Sequence, residues 1–147
     1  MPRRPSHTLN ISQNADSLPE SVKYTRFRSQ LEISFALALE ARGIRWFYEQ
    51  ERIERYLVDF YLPDCRVWVE VKGVVSTRDH LLLRTVAAVL AAERKHRLYM
   101  YTSQQTYLVG EGDFQPLSHD AFWDRLRIAQ SQRDQAESKP NPPLSNV

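Results

Sequence analysis

The chain has 147 residues, of which 42% are hydrophobic, 11% aromatic and 26% charged. This length favours one domain, and this composition is neither that of a disordered acidic chain nor that of a membrane protein. No apolar run approaches the roughly 20 residues that a membrane-spanning helix needs. The formal net charge of +2 is too small for a protein that coats nucleic acid by charge alone.

The two ends of the chain differ in composition from its middle. Residues 1–22 are polar without a sustained period, and residues 130–147 are polar and proline-rich. We expect both segments to be disordered, on either side of one folded domain at residues 23–129. The basic N-terminus has no apolar stretch behind it, unlike a signal peptide. The single cysteine, Cys65, cannot form an internal disulfide, so we expect a cytoplasmic protein without a membrane partner.

Hydrophobic periodicity predicts the elements of this domain. A helix is predicted over residues 27–42, where Gly43 closes it. The elements predicted after it are, in chain order, strands over 44–50, 56–62 and 66–72, a helix over 77–95, a strand over 97–102 and a helix from Ser118 to about Ala129. The turn signal Pro63-Asp64-Cys65 makes the second and third strands a hairpin. This order predicts an α/β protein with a mixed sheet flanked by helices.

Four charged residues fall where a plain core would hold apolar ones. They are Glu32 in the first helix, Asp59 in the second strand, and Glu70 and Lys72 in the third strand. Each has an ordinary alternative: Glu32 favours the first turn of a helix by its charge, and Asp59 ends a strand. Glu70 and Lys72 would then form the solvated face of an edge strand. Because the flanking segments are apolar, the four together favour a functional cluster.

The predicted hairpin brings two of these carboxylates together. Side chains alternate along a strand, so Glu70 and Lys72 share one face. The four-residue loop at residues 63–66 pairs Leu62 with Val67, and the same register sets Asp59 opposite Glu70. Residues opposed in this way share a face, with Cβ atoms about 4.5–5.5 Å apart.

Two opposed carboxylates destabilise a sheet unless something offsets their repulsion. Mg²⁺ would do so, because it takes one or two protein carboxylates and fills its other positions with water or phosphate oxygens. Lys72 adds a donor on the same face, and Glu32 borders the helical stripe that packs on the sheet. These residues therefore predict a site for metal-assisted attack of water on a phosphodiester.

The segment from Arg28 to Gly73 resembles the PD-(D/E)XK nuclease superfamily. The residues that carry the resemblance are, in chain order, Glu32, Asp59 and Glu70-Val71-Lys72. The segment is similar to small nucleases of phages and mobile elements, and to the catalytic domain of heteromeric transposase endonuclease subunits. Val58 stands where the family name has proline, at a position that varies widely. The resemblance implies a restriction-endonuclease-like αβββαβ core and a Mg²⁺-dependent deoxyribonuclease, with Mn²⁺ as a substitute, in a bacterial cell or a phage-infected host.

The resemblance also implies a role for each matched residue. Asp59 and Glu70 would be metal ligands, and the carbonyl of Val71 would be a further one. Lys72 would position or activate the attacking water and stabilise the developing negative charge. Glu32 would hold a second metal or a metal-bound water.

Basic residues near this cluster are candidates for binding the DNA backbone. They are Arg28, Arg78, Arg84, Arg94 and Lys95. A solvated helix face is the alternative for those between residues 77 and 97. The segment Gly110-Glu111-Gly112 is a turn, since no phosphate-loop lysine follows it, and we expect no nucleotide cofactor.

One site per chain predicts nicking of a single strand unless the protein dimerises or works with a DNA-bound partner. Two other functions remain open on the sequence alone. The first is an end-cleaving endonuclease subunit, associated with a transposase, that is active only with its partner. The second is a non-catalytic nucleic-acid-binding module that retains the nuclease fold.

Overall fold

The structure, a computed structural model, describes residues 18–138; residues 1–17 and 139–147, which include most of the two predicted disordered segments, lie outside the described residues. The helices are α1 (Glu20–Lys23), α2 (Gln30–Ala41), α3 (Thr77–Arg94) and α4 (His119–Ser138). Within residues 18–138, no helix is long and apolar enough to cross a membrane.

The protein is a mixed α/β structure built on a six-stranded sheet. The strands are β1 (Phe47–Tyr48), β2 (Arg52–Ile53), β3 (Tyr56–Leu57), β4 (Phe60–Leu62), β5 (Val67–Val71), β6 (Arg97–Tyr101), β7 (Thr106–Val109) and β8 (Phe114–Leu117). The sheet order is β1-β4-β5-β6-β7-β8, and β2 pairs with β3 in a separate small sheet. Only β5 and β6 run parallel, joined by α3, while the other neighbours in the large sheet are antiparallel. The predicted mixed sheet flanked by helices is therefore confirmed.

The predicted hairpin of β4 and β5 is confirmed together with its register. Leu62 pairs with Val67, and Phe60 pairs with Val69. Residues of β5 alternate between two cores: Val67, Val69 and Val71 pack with α2 and α4, and Trp68 packs with α3. Glu70, two residues from Trp68, therefore lies on the sheet face that α3 covers.

Two strand predictions are wrong in extent. The strand predicted over 44–50 is confined to β1, because the Ile44 amide instead bonds the Leu39 carbonyl at the end of α2 and Glu49 has a φ of 50°. The strand predicted over 56–62 is interrupted at 58–59, where the chain leaves the large sheet. The Val71 amide donates there to the side chain of Asp59 and not to a backbone carbonyl of β4, and β3 turns away to pair with β2.

The first helix starts later than predicted. Helix α2 begins at Gln30 because the side chain of Ser29 caps it and accepts a hydrogen bond from the Glu32 amide. Its predicted end is confirmed, since Gly43 follows it with a φ of 64°, a conformation that glycine adopts without strain.

Helix α3 matches its prediction to within a residue. Ser76 and Asp79 form a capping box at its start, where each side chain accepts a backbone amide of the other. The helix ends at Lys95, whose left-handed conformation stops it before β6. The side chains that it buries are Leu83, Val86, Ala87 and Leu90.

Folded structure extends beyond both predicted boundaries of the domain. Helix α1 lies within the predicted arm at residues 1–22, and Val22 is fully buried in the core. Helix α4 continues to Ser138 instead of ending near Ala129, so residues 130–138 of the predicted tail are helical. Arg133 fastens this extension by ion pairs to Asp64 and Glu137, at 3.6 and 3.0 Å.

Candidate active site

The four charged residues that the sequence singled out line one open depression of about 640 Å³. It lies where β5 ends, between the start of α2, the start of α3 and the turn that joins β2 and β3. Glu32, Asp59, Glu70, Val71 and Lys72 all contribute to its wall. The structure thus brings together every residue that the resemblance assigned to catalysis or to metal binding.

Hydrogen bonds between side chains and backbone amides join Asp59 to Glu70 and Val71 across the hairpin. The Asp59 amide donates to Glu70 Oε1 at 3.2 Å. The Val71 amide donates to Asp59 Oδ2 at 2.8 Å. Glu70 is only 2% exposed, so its carboxylate is held in the protein by these contacts and has little access to water. The opposed carboxylates predicted from the register are therefore present, with Asp59 in the bend that precedes β4.

The electrostatic consequence falls on Asp59. Desolvation raises the pKa of its carboxyl group well above the ordinary value, and the adjacent Glu70 carboxylate raises it further. The charge of Glu32 acts in the same direction, while the hydrogen bond from the Val71 amide opposes it. The site therefore holds more negative charge than it readily accommodates, and a proton or a cation relieves it.

Lys72 supplies the positive charge nearest to this pair. Its Nζ lies 3.6 Å from Glu70 Oε2 and 4.0 Å from Asp79 Oδ1. The side chain is 15% exposed, which leaves the ammonium group at the wall of the depression. The capping box of α3 fixes Asp79, so the start of that helix also positions Lys72.

Two tyrosines that the sequence analysis missed hold the two glutamates. The hydroxyl of Tyr56 donates to Glu70 Oε2, and the hydroxyl of Tyr48 donates to Glu32 Oε2 at 2.5 Å. Burial raises the pKa of both phenols far above the ordinary value, so both remain donors at neutral pH. From sequence, aromatic residues in apolar strands are expected to be core residues. The hydrogen bonds that these tyrosines donate to the glutamates are visible only in the folded structure.

Glu32 reaches the depression from α2, which packs on the face of the sheet opposite the one that holds Glu70. It is 4% exposed, and Ser29 Oγ donates to its Oε1 at 3.2 Å. Desolvation raises the pKa of its carboxyl group, although the hydrogen bonds from Tyr48 and Ser29 lower it. Glu32 thus lies in the first turn of a helix and also lines the candidate site, so its place in the helix does not exclude a functional role.

The basic candidates divide between this site and the rest of the surface. Arg28 and Arg78 line the depression, and Arg28 also pairs with Glu49 at 2.8 Å. Arg55, which the sequence analysis missed, joins them from the exposed turn between β2 and β3. Its signal in the sequence is weak, because a basic residue in a short polar turn is common.

The remaining three basic candidates lie elsewhere. Arg84 donates to the Glu111 carbonyl at 3.0 Å. Arg94 forms a two-pronged ion pair with Glu51, at 2.7 and 3.0 Å. Lys95 lies beyond the last turn of α3, near the start of β5 rather than its end. Arg84, Arg94 and Lys95 therefore lie in three different local environments and do not form one basic helix face toward the candidate site.

The donor atoms of the site fit a hard divalent cation. Within residues 18–138, no three histidine, cysteine, aspartate or glutamate side chains form a ready-made metal cage. Mg²⁺ does not need one, because it binds through one or two carboxylates and keeps several waters. Asp59 and Glu70 supply two adjacent carboxylates, and desolvation together with the charge of Glu70 raises the pKa of Asp59.

Comparison of the chain with protein-family models, with curated proteins and with solved structures gives no match.

Proposed function

We propose that this protein is a metal-dependent nuclease that hydrolyses phosphodiester bonds of DNA, as an endonuclease. The observation that carries the proposal is the pair of Asp59 and Glu70 with Lys72 at the rim of one open depression. Two adjacent carboxylates, of which Glu70 is buried and Asp59 is partly exposed, repel each other in a fold that serves structure alone, and they are useful in a site that binds a cation.

The order of elements supports the same proposal. Helix α2 precedes the antiparallel strands β1, β4 and β5, and helix α3 then leads to β6, which lies parallel to β5. This sequence of helix, three strands, helix and strand agrees with the restriction-endonuclease-like core that the resemblance implies. The matched residues fall at the end of β5 and at the bend before β4, where that core carries its site.

We assign Asp59 and Glu70 as the ligands of a Mg²⁺ or Mn²⁺ ion, with the Val71 carbonyl as a further ligand. Such an ion, when bound, supplies positive charge that stabilises a phosphoryl group under attack and lowers the pKa of water. Glu32 adds negative charge to the same wall and is held by Tyr48, so it holds a second ion or orients a water.

The basic residues of the wall have separate roles in this proposal. Lys72 lies beside Glu70 and donates to the attacking water or to the phosphate, because its ammonium group has no acceptor role. Arg28, Arg55 and Arg78 surround the opening and hold the backbone on either side of the scissile bond. One site cuts one strand, so cutting of both strands requires a second copy of the chain or a DNA-bound partner protein.

Cleavage assays test this proposal. The full chain is incubated with supercoiled plasmid and with linear single- and double-stranded DNA, in Mg²⁺, Mn²⁺ or EDTA. We expect relaxed or linear plasmid in either metal and none in EDTA. The Glu70→Gln variant should cut at least about 100-fold more slowly, since even the residues that only support metal ligands are worth 10–100-fold.

Glu137→Gln is the matched control, because Glu137 is an exposed glutamate that pairs with Arg133 on α4. It should cut as fast as the unaltered protein. Metal-independent cutting, or equal rates for Glu70→Gln and the control, would contradict the assignment of Glu70. No cutting of any substrate would contradict the proposal for the isolated chain.

A further inference from the structure

A second charged surface lies at the opposite end of β5 from the candidate site. Four cations line one depression of about 300 Å³ there, between the start of β5, the start of β6 and α4: Arg66, Lys95, Arg97 and Arg125. We call these residues the basic pole. Its lining contains no carboxylate, and all four side chains belong to exposed residues.

The charge of the basic pole is not compensated locally. Among residues 18–138, no carboxylate lies in an ion pair with any of the four cations. The acidic side chains nearby are engaged elsewhere: Asp64 pairs with Arg45 and Arg133, and Glu137 pairs with Arg133. Four formal positive charges thus gather in a chain whose net charge is only +2.

Two members of the basic pole occupy backbone positions that disfavour them. Arg66 in the hairpin loop and Lys95 after α3 both have a φ of 56°, in the left-handed region. Glycine or asparagine adopts this conformation at lower energy, and glycine is the usual residue after a helix. A cation at the C-terminus of a helix is stabilised by the helix dipole, which accounts for a lysine at position 95 but not for an arginine at position 66. Both side chains reach the same depression as Arg97 and Arg125.

We infer that the basic pole binds the phosphate backbone of a second DNA segment, outside the catalytic depression. Exposed cations without ion-pair partners suit an extended polyanion such as a DNA backbone. Each phosphate that such a cation neutralises releases counterions from the DNA. A compact anion would instead need enclosed donors, and the four basic residues of this depression are exposed to solvent.

The geometry separates this surface from the candidate site. Val67, which follows Arg66, and Glu70 are three residues apart on β5, which is about 10 Å at the rise of an extended strand. The basic pole also opens on the sheet face that α4 covers, through Val67 and Leu126, whereas Glu70 lies on the face of α3. The identity of the ligand as DNA rests on the proposed function, but binding at the basic pole does not require cleavage.

Fluorescence anisotropy with a labelled DNA duplex, in EDTA and over a series of salt concentrations, tests the inference on the full chain. The variants are Arg66→Asn with Lys95→Asn, and Arg97→Gln with Arg125→Gln. Each pair should weaken binding and reduce the slope of log K against log salt by about 1 per cation removed. Lys23→Gln with Arg127→Gln removes the same charge from other exposed positions and should leave the slope unchanged.

Thermal melting and lysine footprinting separate a binding role from a structural one. Asparagine at positions 66 and 95 should raise the melting temperature while it weakens binding, because it relieves the left-handed conformation. DNA should also protect Lys95, but not Lys23, from acylation. Unchanged slopes in both variants, or equal acylation of Lys95 with and without DNA, would overturn the inference.

The outcomes also separate this inference from the proposed nuclease. Weakened binding in the basic-pole variants, without any metal-dependent cutting by the unaltered protein, would support the basic pole and contradict the nuclease. Cutting that depends on Glu70, with binding unaffected by the basic-pole variants, would support the nuclease and overturn the inference.

Discussion

The two ends of β5 carry opposite charge in different physical forms. At its C-terminal end, the carboxylates of Asp59 and Glu70 are desolvated, adjacent and fixed by hydrogen bonds from Tyr56 and from the backbone. At its N-terminal end, the four cations of the basic pole are exposed, and none lies in an ion pair with a described carboxylate. These two forms of charge support the proposals that the acidic end binds a compact cation and that the basic pole binds an extended polyanion.

This contrast shows that burial determines whether a charge affects mainly stability or mainly association. The adjacent carboxylates of Asp59 and buried Glu70 repel each other when both are ionised, and a proton or a cation would relieve this repulsion. An exposed cation changes stability little, because water screens it, and it contributes to the rate and strength of association. Loss of charge at the acidic end should therefore alter chemistry and stability, whereas loss of charge at the basic pole should alter binding. Stability should change at the basic pole only where a substitution relieves the left-handed backbone of Arg66 or Lys95.

Loss of Lys72 should have the largest effect on activity. Lys72→Ala should slow plasmid cutting by about 100-fold or more, because a positioned proton donor typically contributes 10²–10⁴-fold. Metal binding should persist, since both carboxylates remain. Lys23→Ala is the control, and an equal rate for the two variants would break the assignment of Lys72.

The two tyrosine hydroxyls should differ in their effect on metal affinity. Tyr56→Phe removes the donor to Glu70 Oε2 and should weaken Mn²⁺ binding by about tenfold, the usual scale for residues that orient a ligand. Tyr48→Phe acts only on Glu32 and should have a smaller effect. Calorimetric titration measures both. A larger loss for Tyr48→Phe would make Glu32 the principal ligand.

Removal of one carboxylate charge should stabilise the protein without metal. The pKa of Asp59 is raised in the folded state, so the free energy of unfolding falls as pH rises from the ordinary value of 3.8 through the folded pKa. Asp59→Asn should therefore raise the free energy of unfolding at neutral pH in EDTA by up to about 1 kcal/mol.

Urea unfolding at neutral pH and below pH 4 measures this effect, whose size should shrink at the lower pH. Mg²⁺ should stabilise the unaltered protein and not the variant, because only the former binds it in the folded state. A destabilised Asp59→Asn variant at neutral pH in EDTA would show that the two carboxylates do not repel in the fold.

The smallest expected effect lies near the basic pole, at His96. Its Nδ1 accepts a hydrogen bond from Trp68 Nε1 at 3.1 Å, and desolvation with the charges of Arg94 and Arg66 lowers its pKa. The unfolded chain therefore takes up a proton first as pH falls below 6.5, and stability decreases from there to the lower folded pKa.

The difference in stability between the unaltered protein and His96→Gln, followed by tryptophan fluorescence from pH 7.5 to 5, isolates this contribution. The difference should change with pH only below about 6.5, the ordinary pKa of histidine. A difference that is constant over this range would contradict it.

Local patterns were sufficient for the hairpin register and for α3. The loop at Pro63 fixes which residues of β4 and β5 face each other, and the apolar spacing of α3 fixes its extent. The break before β4 was not predictable, because it depends on hydrogen bonds that Asp59 makes to residues eleven and twelve positions away.

Other features also could not be predicted from local sequence, because they depend on contacts between residues distant in the chain. Tyr48 and Tyr56 read as core aromatics, and their roles follow from the glutamates that they meet in space. The end of α4 reads as a polar tail, and its helix depends on the ion pairs of Arg133. The basic pole combines residues from three separate segments, which only the fold brings together.

Titration of the full chain with Mn²⁺ tests most directly whether Asp59 and Glu70 hold a divalent cation. Calorimetry should detect Mn²⁺ binding that releases protons as the raised pKa of Asp59 falls. This binding should be lost in Asp59→Asn and in Glu70→Gln, and retained in Glu137→Gln. The absence of Mn²⁺ binding, or equal affinity in all four proteins, would contradict the account.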